Sequence, residues 1–506
     1  MKKILTAALA LTLLFALSAQ LLASAVEPSA DTSMFSDAES DTSPTDVSGD
    51  EASDTSSDDS SDTSSDTSSD TSSDTSSDTS SEPDPEPQPD EDDTPFDYID
   101  GYLYGVYPQT TVADFAAMLG EAFADGDALP VLRWVSKISA DEPVYPAFVE
   151  STELSAQLAA YIREAVESKK KQSGVTGTLL GNPDYMSGAS STATDWMALA
   201  MGRFGYWPVG GGDYTPLIDD GDGYVAYLEA MRTYIETTYA ENDGVLHSVK
   251  ATEWHRAVVA IAALGGDPEA FGVYNGAPID LIADGSYACA LEKGPGGQGI
   301  NGWIWGLIAL DTGMHTVPAD AKYTRETFIT EILKMQLTDG VNGNAYGGWV
   351  LGGYGSSSDV DITAMAIQAL APYYNDDTVY TYVNAAAGTT VSKTVRQCVD
   401  EALDRLGSMM NASAGFSSWN TNNAESIAQV IVALCALGID PAADERFVTA
   451  DGQTLLDGLL RFRVSDGGFC HVLGGGWNSM ANDQATYALV AYWRLENGMR
   501  ALYDMR

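Results

Sequence analysis

Acidic or amide side chains stand at the head of six apolar segments: Asp195-Trp196-Met197, Glu253-Trp254-His255, Asn301-Gly302-Trp303, Asp361-Ile362-Thr363, Glu425-Ser426-Ile427 and Asp483-Gln484-Ala485. A carboxylate in the first turn of a helix offsets the helix dipole and caps free amides. Carboxylates converging on one rim would instead orient a polar or cationic ligand, or hold one acid whose pKa its neighbours shift. Both readings stand on the sequence. In the second, Asp195, Glu253, Glu425 and Asp483 contact a ligand, or one carboxyl of the rim serves as an acid. Tryptophans gather at the same places: Trp196, Trp254, Trp303, Trp305, Trp349, Trp419 and Trp477 lie near the segment starts or in the loops before them. An aromatic there plugs the core or walls a pocket for a flat or apolar molecule. Trp196, Trp254, His255, Trp303 and Trp349 are therefore candidate ligand contacts.

Other chemistry finds little support. Asp219-Asp220-Gly221-Asp222-Gly223 has the look of a short calcium loop, but without the alternating ligands and distal glutamate of an EF-hand it reads as a solvated turn, and no metal site is assigned. His247, His315 and His471 sit in loops without partners that spacing reveals. The four cysteines form no CxxC pair, and Cys435 lies inside the apolar run Val430 to Leu437, as a core residue would. No Ser-His-Asp, nucleotide or phosphate motif stands out.

The elements that must position these residues repeat. The six opening residues lie 58, 48, 60, 64 and 58 positions apart, room for two helices per unit. Ala257 to Leu264, Trp303 to Leu310 and Ile427 to Leu437 are apolar on nearly every face, so they are expected to be buried inner helices. Ala321 to Leu337, Tyr224 to Tyr239 and Val395 to Met409 each carry one apolar stripe among polar residues, as outer helices do. Loops with glycine and an aromatic, Gly347-Gly348-Trp349, Gly415-Phe416 and Gly467-Gly468-Phe469, lead from outer to inner helix. The expectation is an all-α fold, an (α/α)6 toroid over residues 151–506, preceded by an extension of uncertain fold over 96–150 in which Thr111 and Asp114 have capping-box-like spacing.

Residues 1–25 read as an export signal: Lys2 and Lys3, an apolar run, then Ala23-Ser24-Ala25. Residues 26–95 hold 23 acidic residues and no Lys or Arg in a Ser/Asp/Thr repeat, which predicts a disordered acidic spacer. With the spacer and the two leader lysines set aside, the total of -48 leaves -27 on residues 96–506, a charge that repels nucleic acid and anionic lipid. A secreted or surface-tethered protein is expected, with a small molecule as its ligand, a cell-surface or glycan partner possible, and no membrane span beyond the signal.

The alternating helices, Gln336-x-x-x-Gly340 followed by Gly348-Trp349, and Asp359-Val360-Asp361-Ile362-Thr363-Ala364 resemble the prenyltransferase and squalene-cyclase repeat superfamily over roughly residues 150–500. The resemblance implies either a cyclase or a carrier of the transcobalamin type, with cobalamin as one ligand class. Cyclases of that superfamily carry Asp-x-Asp-Asp-Thr-Ala with the middle aspartate as general acid. Asp361 takes that place here, and Ile362 stands where the third aspartate would. His255 falls where the prenyltransferases have a zinc histidine, but no matching Asp-x-Cys occurs. A carbohydrate-active toroid is the other alternative, using Glu253 with Asp361 or Asp195 with Glu425 across a groove.

Overall fold

The structure, a computed structural model, describes residues 153–204, 218, 220, 222–338, 341, 345–352, 357–418 and 420–505. The export signal, the acidic spacer, the 96–150 extension, Trp419, Gly340, and Asp219 and Gly221 of the calcium-like loop lie outside the described residues. The described part is mostly α-helical. Its strands form three two-stranded antiparallel hairpins, the longest pairing Val379–Val383 with Thr390–Thr394.

Core helices alternate with flanking ones. The core set is α2 (Asp195–Arg203), α4 (Thr252–Ala263), α5 (Ile300–Asp311), α7 (Val360–Leu370), α9 (Ala424–Ala436) and α11 (Ser479–Glu496). The flanking set is α1 (Glu153–Gln172), α3 (Gly223–Glu241), α6 (Arg325–Lys334), α8 (Val395–Met409) and α10 (Leu455–Leu460). No flanking α-helix stands between α4 and α5; a five-residue π-helical stretch, Ala283–Tyr287, packs on both instead. That substitution explains why 48 residues is the shortest of the sequence intervals. Every residue of α9 except Ala436 is buried, whereas α6 buries only Phe328, Ile329, Ile332 and Leu333, as its single stripe requires. Among the described residues no helix is long and apolar enough to cross a membrane.

Each core helix packs on the next: α2 on α4, α4 on α5, α5 on α7, α7 on α9, α9 on α11, and α11 on α2. At their N-terminal ends a polar contact marks every one of these junctions. Arg256 of α4 donates to Asp195 of α2 at 2.9 Å and to Ser190 O at 2.7 Å. Thr252 Oγ1 donates to Gln298 Oε1 in the loop before α5 at 2.7 Å. Ile300 N–H donates to Leu351 O in the loop before α7, and Ser418 in the loop before α9 donates to Asp359 at the head of α7. Ala424 N–H donates to His471 O ahead of α11. Lys169 of α1 supplies the last junction, donating to Ala193 O before α2 (3.0 Å) and to Ser479 Oγ and Asp483 Oδ2 of α11 (both 2.7 Å). The six helix starts therefore lie at one end of the molecule.

The glycine-aromatic loops wedge these pairs apart. Trp349 is fully buried and its Nε1 donates to Ile332 O of α6 at 2.9 Å. Gly347 takes φ +87°, and a Cβ there would meet Glu401 O at 2.4 Å. Phe416 and Phe469 are buried in the corresponding places. The four cysteines are free and buried.

Lys169 spends three ammonium protons on groups far apart in sequence, so removing it strands the buried Asp483. We expect Lys169→Met to lower unfolding free energy by about 3–5 kcal/mol, with Lys169→Met/Asp483→Leu recovering much of the loss. A urea-unfolding change below about 1 kcal/mol in the single variant would show that this junction does not hold the first helix to the last.

Candidate functional site

The opening residues share an end but not a role. Asp195 is wholly buried, accepting from Ser190 N–H (3.0 Å), Tyr227 OH (2.8 Å) and Arg256 Nε (2.9 Å). Burial raises its pKa, and the Arg256 guanidinium opposes that. Glu253, one turn ahead on α4, is ion-paired to the same Arg256 at 2.6 Å. Asp483 is buried against Lys169 at 2.7 Å; burial raises its pKa and the ammonium pulls it back. Of the expected ligand contacts, Asp195 and Asp483 are buried and Glu253 is partly exposed, and all three are ion-paired within the chain, to Arg256 and Lys169. Each carboxylate pair considered for glycan chemistry has one member in such an ion pair. Asn301 remains, with Oδ1 buried and unbonded.

Between α7 and α9 the arrangement differs. Asp359 caps α7 through Ile362 N–H (3.0 Å) and accepts from Ser418 Oγ (2.7 Å). Asp361 keeps Oδ1 buried without a hydrogen-bond partner. Burial pushes its pKa up to about 6, with the negative charges of Asp359 and Glu425 adding to the rise and the Ser426 and Ser418 hydroxyls opposing it. Glu425 is paired to the half-exposed His471 at 2.9 Å. Among the described residues no Lys or Arg forms an ion pair with Asp359, Asp361 or Glu425. The Asp359-to-Ala364 stretch also proves to be a fold latch: Thr363 Oγ1 donates to Asp359 O (2.6 Å) and accepts from Trp349 N–H (2.9 Å). Gln336, from the companion motif, donates to Gly347 O and Cys398 O, each at 2.8 Å.

The aromatics divide as well. Trp254 is buried, donating to Tyr239 OH at 2.7 Å, and Trp303 stacks edge-on against Tyr323 and Phe328. With Trp349 they are packed in the core, although they were expected as ligand contacts. His255 is likewise fully buried; its Nε2 bonds Gly285 O at 2.7 Å, and burial lowers its pKa to about 4, so it is neutral at ordinary pH. Trp196 alone of the candidates is half-buried, lying 5.2 Å from Trp305 and 6.1 Å from Tyr487 between ring centroids.

Three glutamines missed at the sequence level extend this cluster. Gln368 of α7 donates to Gln429 O and Oε1 (2.9 and 3.0 Å), and Gln429 of α9 donates to Gln484 Oε1 (2.9 Å) and Tyr487 OH (2.6 Å) of α11. Asp361 and Gln368, like Glu425 and Gln429, are seven and four residues apart, so each pair shares a helix face. The break that Gln429 makes in an apolar run was the available signal. Of the calcium-like loop, Asp220 is spent on the amides of Leu179 and Leu180. Among the described residues no three His, Cys, Asp or Glu side chains gather as a metal site.

No family model matches this chain, and no curated protein does. The site must therefore be read from its own chemistry, which offers unmatched carboxylates beside half-buried aromatics.

Asp361 also marks the pH dependence of folding. A protonated carboxyl is favoured in the folded chain, so its stabilising contribution is complete below about pH 4 and is lost as pH rises through about 6. Asp361→Asn should remove that loss, making the variant more stable than the parent by about 2–3 kcal/mol above pH 7 and no different near pH 3. Parallel denaturation curves across this range would show otherwise if Asp361 is already solvated.

Proposed function

We propose that this protein is an exported (α/α)6 toroid of the prenyltransferase and squalene-cyclase type. Its role is to bind a small ligand at the helix-start end between α7, α9 and α11. The ligand has a flat or apolar body and a hydrogen-bond-donating edge, as a corrinoid or an isoprenoid alcohol has. The observation that carries this reading is the buried, unbonded Asp361 Oδ1. A buried carboxylate oxygen without a partner is costly, and unlike Asp195 and Asp483 this residue has no ion-paired Lys or Arg among the described residues. A donor from outside supplies what is missing. The half-buried Trp196 and Trp305, packed on the buried Tyr487, offer apolar faces, and Val249, Leu351, Leu473 and Met480 are exposed near the starts of α4, α7 and α11. The negative charge there disfavours diphosphates and other anions.

The raised pKa of Asp361 favours a second reading, a cyclase-type general acid, since an acid useful near neutral pH needs a pKa close to it.

Native mass spectrometry of the full chain with cyanocobalamin and, separately, with farnesol tests the first reading. One probe should be retained, with Asp361→Leu weakening it roughly tenfold or more. Retention of neither sinks the reading, while consumption of squalene that Asp361→Asn abolishes supports the second. Export predicts a mature chain in the culture medium beginning after Ala25; recovery from the cytosol alone would refute it.

A further inference from the structure

The far end of the core helices holds a cavity of about 190 Å3. Ile308 of α5, Ala369 of α7 and Val432 and Ala436 of α9 wall it, and Leu502 and Tyr503 of the C-terminal segment cover it. That segment is fastened by its backbone: Arg203 donates to the carbonyls of Ala501, Leu502 and Asp504, and Met505 N–H donates to Thr312 O at 2.8 Å. Tyr503 is thereby held over the space rather than left as a loose end.

Two buried polar atoms among its lining residues have no partner. Gln368 is 4% exposed and gives its amide hydrogens to Gln429, which leaves Oε1 unbonded; Tyr503 is 8% exposed and its hydroxyl is unbonded. Buried polar groups are nearly always satisfied, so an orphan acceptor and an orphan hydroxyl at one cavity call for an occupant. The carboxylates that also line it are committed, Asp311 to Arg325 and Tyr373 (both 2.7 Å) and Asp504 to Arg500. An ionic ligand has nothing left to pair with. A dry cavity of about 150 Å3 accepts a benzene-sized ring, so this one takes a single ring with a polar substituent.

We propose that this cavity is a second ligand site, for a neutral single-ring molecule bearing one hydroxyl, which donates to Gln368 Oε1 and accepts from Tyr503 O–H. Asp359, Asp361, Glu425, Trp196 and Trp305 do not line it, and the contact that joins it to the helix-start end is Trp305, stacked edge-on against Tyr503 at 5.8 Å between ring centroids.

The test is calorimetric titration of the full chain with phenol and with toluene, which share a ring and differ in the hydroxyl. Phenol is expected to bind roughly tenfold tighter than toluene. Tyr503→Phe and Gln368→Leu should each erase most of that preference while toluene still binds, and Ala436→Leu, which fills the space, should abolish both. Asp361→Leu should leave phenol binding intact, which separates this site from the one at the helix starts. Equal affinity for the two probes, phenol binding that survives Ala436→Leu, or no binding at millimolar concentration, as for a cavity holding water alone, would each overturn the proposal.

Discussion

The constraint on which the rest depends is that the core helices open with buried polar groups, among them Asp195, His255, Ser426 and Asp483, which need partners that water does not supply. The chain meets it by bonding each start to a neighbouring helix or to the loop ahead of it. Two of these junctions use a buried cation: Arg256 serves Asp195, Glu253 and Ser190 O together, and Lys169 serves Asp483, Ser479 and Ala193 O. Cations are scarce here, 25 Lys and Arg against 73 Asp and Glu, so their placement decides which carboxylates are neutralised. Among the described residues no Lys or Arg forms an ion pair with Asp359, Asp361 or Glu425, the carboxylates at the heads of α7 and α9. The candidate site is thus the place where the pattern that builds the fold is left incomplete.

This gives otherwise similar residues opposite roles. Asp195 and Asp361 both open an apolar helix, and both are desolvated. In Asp195 the Arg256 guanidinium, the Tyr227 hydroxyl and the Ser190 amide favour the charged form and oppose the effect of burial. In Asp361 the charges that act, Asp359 and Glu425, are negative and push the same way as burial. A carboxyl so placed gains from any donor that reaches it, whether a ligand's amide or hydroxyl or a substrate's reacting atom. The two readings of the site differ only in what happens after that contact.

Helix positions were legible because periodicity reports burial: the all-round apolar runs became α4, α5 and α9, and the striped segments became α3, α6 and α8. The short interval before Asn301 was legible as a number but not as its cause, a π-helical stretch in place of a helix. The site was less legible. Which carboxylate meets a cation depends on contacts such as Lys169 to Asp483, 314 residues apart in sequence, and no motif marks Lys169. Tryptophan spacing could not separate the plugs Trp254, Trp303 and Trp349 from the half-buried Trp196, since all sit near helix starts. His255 drew notice for its position in a resembling motif, whereas its buried bond to Gly285 O follows from packing alone.

The polar interior bears on stability as well as on binding. Replacing a buried ionic or amide network with well-packed apolar residues is often neutral or stabilising. The Gln368–Gln429–Gln484 chain crosses three core helices and still leaves Gln368 Oε1 unbonded. Asp361 Oδ1 is unbonded two turns earlier on the same helix, and Tyr503 OH is unbonded at the cavity that Gln368 also lines. Were the interior there only to hold the helices together, three orphaned polar atoms along it would be a net cost with nothing to offset it. Their alignment on the inward faces of α7 and under the C-terminal segment is what ligand occupancy at either end would turn from a cost into a gain.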